Sequence, residues 1–144
     1  MIALDTNLLA RFYVDDPSDR EAVGQRATAR QIIATEPALF VPRTVLLELE
    51  WLLRGLYRLK PSTIVAVIDH LWRLPNVTVE DVDVVRAALH GYRAGMDFAD
   101  ALHLAAAHRC RGMFTFDDRR FARRARRLGL KPPVSVPAAA ARRE

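Results

Sequence analysis

A single cysteine, Cys110, stands in a chain of 144 residues, so no internal disulfide can form, and a reducing cytoplasm is the expected setting. No apolar run approaches the roughly 20 residues that a membrane-spanning helix needs. Asp5 interrupts the only apolar run at the N-terminus, and no secretory signal peptide is expected there. His70, His90, His103 and His108 show no zinc-ligand spacing with Cys110. The 6 glycines build no phosphate-cradling loop of either common type, and no Gly-x-Ser-x-Gly elbow is present. Internal repeats and low-complexity linkers are absent. Lysine is nearly absent, 2 residues against 20 arginines, a bias that a GC-rich genome produces without functional meaning.

What is there is an ordinary folded composition, 51% hydrophobic and 27% charged, with enough chain for one domain and a sizeable core. That domain is expected over residues 1–136, with 137–144 as a flexible tail. The net charge of +5 is unevenly spread: residues 1–108 carry 11 basic against 14 acidic side chains, and residues 109–144 carry 11 against 3. Arg119, Arg120, Arg123, Arg124, Arg126 and Arg127 dominate the basic part. Such a stripe is either a solvated helix face or the footprint of a polyanion such as RNA.

The elements alternate. Residues 1–5 read as a short buried strand and 7–14 as a short helix. Ser18 and Glu21 have the spacing of a capping box for a helix from about Asp19 to Thr35. A strand follows at 38–41, then a helix capped by Thr44, with Val45, Leu49, Leu52, Leu53 and Leu56 as its apolar stripe. Pro61 suits the first turn of another helix, with Ile64, Ile68 and Leu71 inward. Val77 and Val79 mark a strand, 81–92 a helix broken by Gly95, and 98–111 a helix buried around most of its circumference. A strand at 113–116 precedes a helix with Phe121, Ala125 and Leu128 on one face, ended by Gly129, and 134–136 reads as a last strand. Short strands alternating with helices predict a layered α/β domain with a mainly parallel sheet.

In such sheets, sites form at the carboxyl ends of strands, where Asp5 and Asp117 both fall. An acid at the end of a buried strand is costly unless something pairs with it. The bland alternative is that each caps the helix that follows, a role that suits the Asp5-Thr6-Asn7 tripeptide well. An aspartyl-phosphate site is disfavoured because Asn7 occupies the place of its second aspartate. Asp97 and Asp100 share one helical face, where like charges repel unless a cation lies between them. Glu48 and Glu50 each lie about 100° from the centre of their helix's apolar stripe, and the wheel does not choose between them. Asp117 and Asp118 are likewise left open as alternatives, with Thr115 offering a hydroxyl nearby.

Four segments then appear in a familiar order: residues 4–9 (LDTNLL), 45–53 (VLLELEWLL), 97–103 (DFADALH) and 115–117 (TFD). Together they resemble the PIN-domain family and, more narrowly, its VapC-type toxins of bacterial toxin–antitoxin pairs. The resemblance implies a three-layer α/β/α domain with about five mainly parallel strands. It carries the family's catalytic, metal-binding acids onto Asp5, Glu48, Asp100 and Asp117. Supporting roles fall on Thr6, Asn7, Asp97, Thr115 and Asp118. It also implies a homodimer, Mg²⁺- or Mn²⁺-dependent cleavage of RNA, and a cognate antitoxin. Oxygen-only ligands suit those hard cations. Arg119, Arg120, Arg123, Arg124 and Arg127 are the expected contacts to the RNA backbone. Two rival expectations stand beside this one. One is a PIN nuclease in RNA processing outside toxin systems. The other is a catalytically silent nucleic-acid-binding module in which the acids are only caps.

Overall fold

The computed structural model describes residues 1–140, which form two compact units, one over Met1–Val82 and the other from Asp83 onward. In the first unit three short strands, β1 (Ile2–Ala3), β2 (Leu39–Val41) and β3 (Val77–Val79), pair in parallel in the order β1-β2-β3. Leu39 lies opposite Val77 and Val41 opposite Val79, while Ile2 and Ala3 face Leu39 and Phe40. The central strand buries Leu39 and Val41 completely on one face and leaves Phe40 half-buried on the other. The first strand departs from expectation. It is an exposed edge, with Ile2 at 48% exposure, and burial begins only at Leu4. With two residues it is shorter than β3, the other edge of this sheet, which keeps Val77 and Val79 buried.

Four helices accompany these strands: α1 (Thr6–Tyr13), α2 (Arg20–Thr35), α3 (Arg43–Gly55) and α4 (Pro61–Arg73). The start of α2 is set by Asp19, whose carboxylate accepts from the backbone amides of Glu21 and Ala22. The expected capping box is not used, because the Ser18 hydroxyl donates to Asp16 instead. Pro61 opens α4, and Ile64, Ile68 and Leu71 face inward as the sequence predicts. In α3 the expectation fails in two ways. Pro42, not Thr44, is the N-cap, and no side chain caps the helix. The buried face is Leu46, Leu49, Glu50 and Leu53, rotated from the expected stripe, and Leu56 is left 66% exposed. Packing against α1 and α4 selects this face. It brings a glutamate inside, tolerable because Arg54 one turn later pairs with Glu50 at 2.8 Å.

The second unit holds α5 (Val82–Arg93), α6 (Phe98–Ala106), β4 (Met113–Phe114), a π-helical turn (Asp118–Ala122), α7 (Arg123–Arg127) and β5 (Val134–Ser135). Strands β4 and β5 pair in parallel, Met113 with Val134 and Phe114 with Ser135. The described strands thus number five, all parallel, hydrogen-bonded as three and two. The junction of α5 and α6 is tight. A Cβ on Gly91 would sit 3.2 Å from Met96 Sδ and 3.3 Å from Ala101 Cβ. Gly95 then turns the chain at φ 101°, a conformation that favours glycine.

Helix α6 is shorter than the expected 98–111. It stops at Ala106, and His108, Arg109 and Cys110 are exposed in a turn. Phe98, Ala101, Leu102 and Leu104 use the apolar residues available, and the next turn offers mainly polar ones. The expected strand at 113–116 is also cut short, with Phe114 at 76% and Phe116 at 86% exposure. The expected helix after Asp117 begins as a π turn, closed by the amide of Ala122 donating to the carbonyl of Asp117 at 3.0 Å. The wider turn buries both Phe121 and Ala122. Gly129 ends α7 as expected. The part of the expected tail at 141–144 lies outside the described residues.

Candidate active site

Three of the acids singled out in the sequence are helix caps. Asp5 accepts from the amide of Thr6 at 2.8 Å, Asp97 from that of Asp100 at 3.2 Å, and Asp117 from that of Arg120 at 2.9 Å. Each bond uses Oδ1. A carboxylate accepts on both oxygens, so capping fixes the group's direction and leaves Oδ2 for a further partner. The two readings of these acids are therefore compatible. The burial argument for Asp5 and Asp117 does not hold, since both are exposed. Their strands are too short and too open to bury the ends.

Asp100 is where burial counts. It is half-buried on α6, and its carboxyl is pushed above the ordinary value of 3.8 by desolvation first, then by the charges of Asp97 and Asp117. His103 and Arg124 oppose the shift. The structure thus brings Asp97, Asp100 and Asp117 within electrostatic range of one another. It also separates Asp117 from its neighbour: Asp118 pairs with Arg123 at 3.5 Å, while Asp117 is the one whose charge reaches Asp100. Thr115 supports this turn directly, its hydroxyl accepting from the amide of Asp117 at 3.0 Å.

In the first unit Glu48 is exposed on α3, two residues before the buried Glu50. Thr6 is buried at 2% exposure, and its hydroxyl has no hydrogen-bond partner. An unsatisfied buried hydroxyl beside Asp5 is uncommon and costs stability. Asn7 is exposed and lines a groove of about 490 Å³ between α1 and α2 with Arg11, Glu21, Gln25 and Thr28.

The expected basic face divides. Arg119, Arg120 and Arg127 are exposed, whereas Arg124 is half-buried and donates to the carbonyl of Gly95 at 3.0 Å. Arg124 thus ties α7 to the turn before α6. Sequence reasoning also missed Phe114 and Phe116, which it placed in a strand. Their spacing of two residues is the signal that could have marked a shared exposed face.

The donors are oxygens throughout, and Asp100 feels two neighbouring negative charges, a disposition that a hard divalent cation would relieve. Among the described residues no group of three or more His, Cys, Asp or Glu side chains stands ready-made at metal-binding distance. No helix among them is long and apolar enough to cross a membrane.

The raised pKa of Asp100 has a definite sign in stability. Between the ordinary value of 3.8 and the raised one, the folded chain holds a proton that the unfolded chain has lost. Stability therefore falls as pH rises through that window. Thermal melts in chelator should show the Asp100→Asn variant gaining on wild type as pH rises from about 4 and levelling off towards neutrality. A constant difference across this range would remove the electrostatic account of Asp100.

The family described as PIN domain matches residues 2–127. Among solved structures, Mycobacterium tuberculosis VapC20, described as a sarcin-ricin loop cleaving toxin, is similar at 23% identity, covering 83% of this chain and 92% of its own, with a TM-score of 0.41. No curated protein matches the chain.

Proposed function

The chain belongs to the PIN-domain family, and from that premise we propose that it is a divalent-metal-dependent endoribonuclease, acting as the toxin of a bacterial toxin–antitoxin pair. The observation that carries this reading is Asp100, half-buried under the charges of Asp97 and Asp117. Carboxyl groups perturbed by desolvation together with neighbouring charges cluster at functional sites. The residues assigned to hold Mg²⁺ or Mn²⁺ are Asp5, Glu48, Asp100 and Asp117, with Asp97 adding negative potential. When bound, the cation supplies Lewis-acid polarisation of the scissile phosphate and activation of water.

The chain's own part is positional. Asp5 and Asp117 are held by cap bonds from Thr6 and Arg120. Thr115 fixes the turn that carries Asp117. Thr6 and Asn7 keep supporting roles at the start of α1. Desolvation and the charges of Asp97 and Asp117 raise the carboxyl pKa of Asp100, and a bound cation would favour its ionised form, so cation binding strengthens with pH. Arg119, Arg120 and Arg127 hold the RNA backbone through sequence-independent contacts. Arg123, shared with Asp118, contributes less, and Arg124 chiefly positions α7.

Purified protein is expected to cut single-stranded RNA with Mg²⁺ or Mn²⁺, to stop in EDTA and to resume on metal addition. Undiminished cutting in chelator would remove the metal-dependent reading. The toxin role is tested separately. Expression of the chain should arrest bacterial growth, expression of Asp5→Asn should not, and a small protein encoded beside it should restore growth and co-purify. Cleavage without toxicity or partner would favour a processing nuclease. A homodimer is part of the same proposal, and sedimentation of the purified chain checks it.

A further inference from the structure

Two aromatic rings stand in solvent beside the acids. Phe116 is 86% exposed and Phe114 76%, while Met113 and Thr115 between and before them are half-buried. This period of two puts both rings on one face of the strand and its extension, about 7 Å apart along the chain. Exposed phenylalanines gain nothing from folding, yet the backbone under these two is pinned. The amide of Thr115 donates to Ser135 at 3.0 Å, that of Asp117 to the Thr115 hydroxyl at 3.0 Å, and that of Asp118 to the carbonyl of Phe116 at 3.1 Å. Phe116 also lines an open cavity of about 500 Å³ with Asp117, Asp118, Arg119 and Arg120. Ring, guanidinium and acid thus share one concavity.

We propose that Phe114 and Phe116 form a stacking platform for unpaired bases of the RNA, with Arg119 and Arg120 holding the phosphates beside them. This rests on the ribonuclease reading above and narrows its substrate to strands whose bases are splayed out. The charge of the surrounding segment selects the occupant. Arg119 and Arg120 share the polar wall with Asp117 and Asp118, within a segment, residues 109–144, whose sequence carries 11 basic side chains against 3 acidic ones. Aromatic faces accept any base, and arginines accept the backbone, which is the composition of single-strand binding surfaces. Duplex RNA offers no free base face and is excluded from the platform. Of the two acids in the cavity, Asp118 pairs with Arg123, and Asp117 accepts the cap bond from the amide of Arg120.

The test uses the full-length protein in EDTA, a fluorescent single-stranded RNA and a matched oligonucleotide of abasic nucleotides. Phe116→Ala should weaken binding to the RNA about 10-fold, with its salt dependence unchanged. Phe116→Trp should bind as wild type or tighter, and Phe114→Ala should show a smaller loss. The abasic strand should bind wild type and Phe116→Ala alike. Arg119→Ala should instead flatten the salt dependence by about 0.7 in slope. Equal affinity of wild type and Phe116→Ala for the RNA would overturn the platform, as would an equal loss on the abasic strand. A change in sedimentation without a change in RNA affinity would assign the rings to contact between copies and overturn it too. The platform and the nuclease reading fail apart from one another. Phe116-dependent binding with no metal-dependent cutting leaves the platform and removes the nuclease, and cutting indifferent to Phe116 does the reverse.

Discussion

Replacing Asp100 with Asn is expected to lower RNA cleavage at least about 100-fold while raising the melting temperature of the chelated protein at neutral pH. The first effect follows from its assigned role, since changes one shell further out from a metal typically cost 10- to 100-fold. The second follows from its surroundings. Asn keeps the size of the side chain but removes a charge that burial, Asp97 and Asp117 all disfavour. The amide of Asp100 still donates to Asp97, so the cap of α6 survives. A loss of activity with a gain of stability is the signature of a group kept for function rather than for folding. Circular dichroism melts and gel-based cleavage assays on one preparation read both. A variant that loses activity and stability together would make Asp100 a structural residue.

The second large effect separates two glutamates on one helix. Glu48→Gln should abolish most cleavage and leave the melting temperature near wild type, because Glu48 is exposed on α3. Glu50→Gln should do the opposite. Glu50 is buried and bound to Arg54 at 2.8 Å. Exchanging this charge-assisted hydrogen bond for a neutral one should cost about 1–2 kcal/mol. That corresponds to a fall of several degrees in melting temperature, with activity near wild type below the transition. Glu50→Gln is therefore silent in activity and visible in stability. Loss of activity in Glu50→Gln at full folding, with Glu48→Gln active, would reverse the assignment.

These two residues show where the sequence stopped being legible. Periodicity identified α3, but a helical wheel centred on Leu49, Leu52 and Leu53 left Glu48 and Glu50 equivalent. The helix's packing against α1 and α4 rotates the buried face toward Leu46 and Glu50 and breaks the tie. Only the family resemblance had favoured Glu48, and the exposed position is compatible with it. At Asp117 and Asp118 the ambiguity was local chemistry; Asp118 pairs with Arg123, and Asp117 is the acid whose charge reaches Asp100. Breakers with a fixed backbone requirement, Pro61, Gly95 and Gly129, and the inward face of α4 agree with the structure, whereas the side-chain caps expected at Ser18 and Thr44 do not form. Burial failed as well. Apolar runs at 1–4 and 113–116 were read as buried strands, yet Ile2, Phe114 and Phe116 are largely exposed. An apolar run reports tolerance of burial, and tertiary contacts decide whether it occurs. The misreading also hid the phenylalanine platform.

The most direct test of the account is to count bound cations. Chelator-stripped protein titrated with Mn²⁺, with the free ion followed by electron paramagnetic resonance, should bind the metal more tightly as pH rises. Asp100→Asn and Glu48→Gln should bind it far more weakly, while Glu50→Gln binds as wild type does. Mn²⁺ binding that is unchanged in Asp100→Asn and Glu48→Gln would contradict the assignment of these acids as the metal site.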